Sequence, residues 1–111
     1  MRIKEYLTLR GISPFSKWYR KLDEALQTRL DARFQRIKIL DNLGDNKSVG
    51  MGVFELRFMM RSGLRVYFGK EDNDIVVLLV GGNKSSHPKD IEKAKEYWID
   101  YKLRKEEDHG K

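Results

Sequence analysis

The stretch "VFELRFMMRSGLRVYFGKEDNDIVVLLVGG" (residues 53–82) decides the fold. Two turn-rich breaks, "RSG" at 61–63 and "EDND" at 71–74, cut it into three apolar runs, which predicts three consecutive strands. In the middle run Leu64, Val66 and Phe68 alternate with Arg65 and Tyr67, the period-2 pattern of a half-buried strand. Residues 75–80 are apolar without alternation, which marks a strand covered on both faces and therefore interior to the sheet. The loop between the first two strands sets which side chains share a face. A two-residue turn at Ser62–Gly63 mixes charge and aromatic residues on both faces. A three-residue loop, Arg61 to Gly63 with Gly63 left-handed, pairs Arg57 with Tyr67 and Met59 with Arg65. It sorts Phe54, Leu56, Phe58, Val66 and Phe68 onto one face and Glu55, Arg57, Met59, Arg65 and Tyr67 onto the other. Arg57 and Arg65 then lie side by side on the face away from the helices. Two neighbouring guanidiniums repel, so the arrangement favours an anion between them or relief from Glu55.

Working outward, "MRIKEYLTL" alternates over residues 2–8 as a first strand. Ser13 is placed to cap a helix with Pro14 in its first position, and Phe15, Trp18 and Leu22 recur at helical spacing. Asp23 is a second N-cap. It opens a helix with Leu26, Leu30, Ile37 and Leu40 on one face and Gly44 as its stop. Arg29, Arg33 and Arg36 form a basic stripe on another face of that helix. "DNKSVGMG" reads as a turn-rich connection, and "NKSSHP" as a loop before a helix from Pro88 carrying Ile91, Ala94, Trp98 and Tyr101. Residues 104–111 read as a fraying tail. The order β-α-α-β-β-β-α predicts one α+β domain over residues 1–111, a small, mainly antiparallel sheet with helices on one face.

The chain of 111 residues has no cysteine, which excludes disulfides and thiolate metal sites, and His87 and His109 are too far apart in sequence to suggest a metal centre. No cofactor is expected. Charged residues interrupt the N-terminal segment and no run approaches a membrane span, so the expected location is cytoplasmic, without a membrane partner. The net charge is +6, and residues 88–111 balance seven basic against seven acidic side chains. The excess therefore lies in residues 1–87 and suits a polyanionic partner.

The ordered pieces "ELR", "RVYF", "GGNKSS" and "DIEKAKEYW", preceded by "FSKWYRKLDEALQTRLDARFQRI", resemble the HigB-like, or addiction module killer, branch of the RelE toxin superfamily over about residues 2–101. That resemblance implies a type II toxin, a ribosome-dependent endoribonuclease of mRNA. Its partner would be a helix-turn-helix, HigA-like antitoxin, with operator DNA reached only through the antitoxin complex. It places the superfamily's basic cleft positions on Arg57, Arg65 and Lys84. The expected reaction is metal-independent attack of an RNA 2′-OH on its own phosphodiester, leaving a 2′,3′-cyclic phosphate and a 5′-OH, with the three cations stabilising the phosphorane. Glu55 is the candidate base and His87 the candidate acid, although His87 stands where the family usually has glutamine and equally suits a structural loop position. Tyr67 is a candidate for stacking on a base or donating to phosphate, against simple packing on the sheet. Arg29, Arg33 and Arg36 are candidate RNA or ribosome contacts, against a solvated helix face. The rival reading is a non-catalytic basic module that binds an antitoxin and nucleic acid or the ribosome.

Overall fold

The computed structural model describes residues 1–109. In chain order it contains β1 (Arg2–Glu5), α1 (Pro14–Tyr19), α2 (Glu24–Leu40), β2 (Asn46–Gly50), β3 (Val53–Arg57), β4 (Arg65–Glu71), β5 (Ile75–Gly82), a 3-10 turn at Lys84–Ser86 and α3 (His87–His109). The strands form one sheet in the order β1-β5-β4-β3-β2. β1 runs parallel to β5 and the other neighbours are antiparallel. The α+β class and the mainly antiparallel sheet are as expected.

Side-chain chemistry explains the helix starts. The Ser13 hydroxyl accepts from the Ser16 N–H at 3.0 Å with Pro14 behind it, and the Asp23 carboxylate accepts from the Leu26 N–H at 2.9 Å. α2 ends at Leu40, where Asp41 turns left-handed with φ 53°, three residues before Gly44. Its buried stripe is Leu30, Phe34 and Ile37, while Leu40 points to solvent.

The helices occupy both faces of the sheet, which corrects the one-face expectation. Phe15, Leu30, Phe34 and Ile37 from α1 and α2 pack on Leu56, Val66, Phe68, Val76 and Leu78. Ala94 and Trp98 of α3 pack on Val53, Tyr67, Ile75, Val77 and Leu79, the opposite side. The face that carries Glu55, Arg57 and Arg65 is therefore the α3 face, not an open one. The reason lies in β5, whose unbroken apolar run needs cover on both sides.

Two further differences concern pairing. Residues 46–50, expected in a connection, form edge strand β2 on β3, held by backbone pairing although Val49 is its sole large apolar side chain. The β3–β4 register pairs Arg57 with Arg65 and Glu55 with Tyr67, in place of Arg57 with Tyr67. The hairpin closes at Phe58 N–H to Leu64 carbonyl, 3.1 Å, so its loop has five residues, 59–63. The longer loop takes in Met59 and Met60 from the β3 side, a shift of two residues, so the parity of every side chain is kept and the face assignments hold.

At the opposite end of the sheet, Glu71 fixes the later half of α3. It accepts from the Tyr101 hydroxyl, pairs with Lys105, and lies 3.8 Å from Lys4. Arg104 pairs with Asp100 at 2.8 Å and donates to the Leu7 carbonyl. α3 extends to His109, across most of the segment expected to fray, and residues 110–111 of that segment lie outside the described residues.

Candidate active site

β3 and β4 present Glu55, Arg57 and Arg65 at one end of the sheet, and the turn into α3 brings Lys84 and His87 to the same end. Glu55 is 1% exposed. Its Oε2 lies 3.2 Å from His87 Nε2 and 3.7 Å from Arg65 Nε. A carboxylate is rarely sealed from water without a cation. Here one guanidinium and one imidazole converge on it from separate elements.

The turn that delivers Lys84 and His87 is built locally. Asn83 accepts from the Ser85 and Ser86 N–H groups at 2.9 and 3.2 Å, and the Ser86 hydroxyl accepts from the Asn83 N–H, closing a capping box. Ser86 also donates to Asp90 on the first turn of α3 at 2.5 Å. Asp90 stands so close over Gly82 that a Cβ there would lie 1.8 Å from its Oδ2. The turn also docks on the hairpin loop, because Lys84 N–H donates to the Ser62 carbonyl at 3.1 Å. Gly63 lies at that contact with φ +65°, and a Cβ on it would meet Lys84 Cβ at 2.8 Å. Glycine is required there by both backbone and space.

Arg65 donates to the Gly63 carbonyl at 3.3 Å, and Arg57 pairs with Asp45 at 2.9 Å. An open groove of about 320 Å³ runs between Asp45, Arg57, Met59, Gly63 and Arg65. Among the described residues, the buried side-chain nitrogen and oxygen atoms that lack a hydrogen-bond partner are Arg57 Nε, Arg65 Nε and the Tyr67 hydroxyl. All three belong to this one strip of the sheet. Unmet polar groups are costly elsewhere in a fold and concentrate where a site is built to receive a polar ligand. No group of three or more His, Cys, Asp or Glu side chains among the described residues is arranged to hold a metal ion.

Two expected contacts with RNA are corrected. Tyr67 is fully buried beneath α3, so its ring has no free face on which a base could stack. Burial, with the charges of Glu55 and Asp90, pushes its phenol well above the usual range and keeps it neutral. Arg33 is a structural residue: its guanidinium donates to the carbonyls of Leu43, Asp45 and Arg57 at 2.8, 2.7 and 2.9 Å. Desolvation by burial lowers its pKa, the Asp45 charge opposing. Arg29 and Arg36 stay exposed and line a second groove with Arg57. The sequence reading missed Asp45, Asn83 and Asp90. Only Asn83 left a signal, in the Asn-x-x-Ser spacing of its capping box.

No known protein-family model matches the chain. Its fold resembles that of the isolated E. coli RelE toxin, with a TM-score of 0.55 at 17% identity over 82% of this chain and 95% of that one. It is equally similar to a chain of the intact E. coli RelBE toxin–antitoxin complex, with a TM-score of 0.57 at 18% identity over 74% and 94%. In sequence it is 42% identical over 82 residues to an uncharacterized protein of Haemophilus influenzae, spanning 73% of this chain and 82% of that protein. The chain has the RelE toxin fold and belongs to the same family as that Haemophilus influenzae protein.

Proposed function

We propose that the protein is the toxin of a type II toxin–antitoxin system, a metal-independent, ribosome-dependent mRNA endoribonuclease acting in the cytoplasm. The observation that carries this reading is the convergence of Arg65 and His87 on the buried Glu55, with Arg65 also lining an open groove together with Arg57. The RelE fold supports it, and the RelBE neighbour supports an antitoxin as partner. The helix-turn-helix, HigA-like class of that antitoxin remains part of the proposal.

In the proposed reaction the RNA 2′-oxygen loses its proton to water and attacks the adjacent phosphorus. Arg57, Arg65 and Lys84 hold the phosphorane oxygens, and the P–O5′ bond breaks. Glu55 is sealed from solvent, so it acts through His87 and not on the 2′-OH directly. Nε2–H donates to the Glu55 carboxylate, so the imidazolium form of His87 carries its second proton on Nδ1 and gives that proton to the leaving 5′-oxygen. The test is inducible expression without an antitoxin. The parent should arrest growth, while His87→Ala and Glu55→Gln proteins, shown to be folded, should arrest it weakly or not at all. Full arrest by both variants would remove these two residues from the chemistry.

A further inference from the structure

The second groove, of about 380 Å³, is lined by Arg29, Arg33 and Arg36 of α2 with Arg57 and Met59. Asp45 is the one acid on its wall among the described residues. The cations there are unequally committed. Arg33 is spent on three carbonyls, Arg29 reaches only the Met59 carbonyl at 3.5 Å, and Arg36 makes no hydrogen bond or ion pair among the described residues. Asp45 sits in this ring with Oδ1 2.9 Å from the Arg57 guanidinium. The pair is open to water, with Asp45 42% and Arg57 40% exposed, so it is screened and exchangeable. The backbone of Asp45 is fixed independently of its carboxylate. Its carbonyl accepts from Arg33 at 2.7 Å and from the Arg57 N–H at 2.9 Å. The side chain can therefore rotate off Arg57 while strand and groove stay in place.

We infer that Asp45 is a built-in stand-in for an RNA phosphate: its carboxylate occupies Arg57 until a phosphate of single-stranded RNA displaces it, and the nucleotide so held lies in the arginine groove with Arg29 and Arg36. This rests on the RNA-cleaving reading above and adds a second subsite to it. A phosphodiester offers two oxygens to the planar guanidinium fork and gains further from the two uncommitted arginines, so it outcompetes the single tethered carboxylate. A lone weak anion lacks those added contacts and does not. Met59, 84% exposed at the rim, supplies an apolar surface for the base. The tethered acid thus sets a threshold that favours polymeric RNA over small anions.

The experiment measures binding of a short fluorescent single-stranded RNA by anisotropy across a salt series. It compares the parent, Asp45→Asn, Arg57→Gln and the double variant. Asp45→Asn should bind several-fold tighter across the series, because the phosphate no longer has to displace a carboxylate from Arg57. In the Arg57→Gln background the same change should do nothing, because the carboxylate acts through that guanidinium. Asp45→Ala should repeat the result. An equal gain in both backgrounds would make Asp45 an ordinary repulsive charge and overturn the inference. Unchanged binding by Asp45→Asn, with the parent binding RNA, would overturn it and leave the cleavage reading standing. Failure of the parent itself to bind RNA would overturn the inference, while the ribosome-dependent cleavage reading is decided separately by the expression experiment.

Discussion

Arg65 has 18% of its side chain exposed, with Nε 3.7 Å from a carboxylate sealed from water. That geometry answers why a cation interrupts an otherwise apolar strand. Glu55 offsets the cost of burying the guanidinium base, and the far end of the fork stays at the groove. Removing one positioned cation of this kind typically lowers a rate about a hundredfold or more. Arg65→Ala should therefore abolish growth arrest in a protein that still folds. Arg65→Lys should restore only part of it, because lysine keeps the charge and loses the fork. Undiminished arrest by a folded Arg65→Ala protein would show that the cation is structural. That Arg57, Arg65 and Glu55 share a face was legible in the sequence, because parity survives the two-residue error in loop length. The Glu55–His87 contact was not, since 32 positions separate the two and nothing local couples them.

Along α2, one arginine stripe divides into a committed Arg33 and the exposed Arg29 and Arg36. Arg33 lies half-buried under three carbonyls and over the Phe58 ring, 4.8 Å from its centroid. Hydrogen bonds from a charged donor are worth roughly 1.5–3 kcal/mol each, with poor additivity. Arg33→Gln should cost several kcal/mol, read as a lowered denaturant midpoint. Arg29→Gln with Arg36→Gln should stay within about 0.5 kcal/mol of the parent each, as exposed substitutions do. It should instead weaken association with ribosomes or RNA and flatten the salt dependence. If all three arginines are equivalent in stability, the division is wrong. Helical spacing could show the stripe but not this division, which depends on where the 41–46 connection crosses α2. The edge strand β2 was hidden for a related reason, since backbone pairing to β3 forms it without an apolar alternation.

At the scale of the whole molecule, α3 spans the sheet from the site to the Glu71 cluster, and its two ends are fixed by different charges. Burial alone would raise the Glu71 pKa, but hydrogen bonds from Lys105 and Tyr101 and the charge of Lys4 outweigh it and hold it below its usual 4.5. A carboxylate held lower in the folded state contributes stability above its unfolded pKa and loses it as pH falls through the folded value. The parent should therefore lose stability below about pH 4.5, and Glu71→Gln should flatten that acid limb while lowering stability near neutrality. An identical acid limb in both proteins would place the dependence elsewhere. The sequence pointed to this two-sided architecture in residues 75–80, whose unbroken apolar run needs both faces covered. The polar residues of β3 and β4 obscured it, because Glu55 and Arg65 look like solvent-facing positions until α3 is seen to cover Tyr67.

In the proposed reaction mRNA is cleaved through its own 2′-hydroxyl. The most direct measurement expresses the protein without an antitoxin and captures new RNA ends by their chemistry, with Arg65→Ala as the matched control. New mRNA fragments should carry 5′-OH and 2′,3′-cyclic phosphate ends, clustered in translated regions and absent from the control. New ends bearing 5′-phosphates, or growth arrest with no new ends, would contradict that reaction.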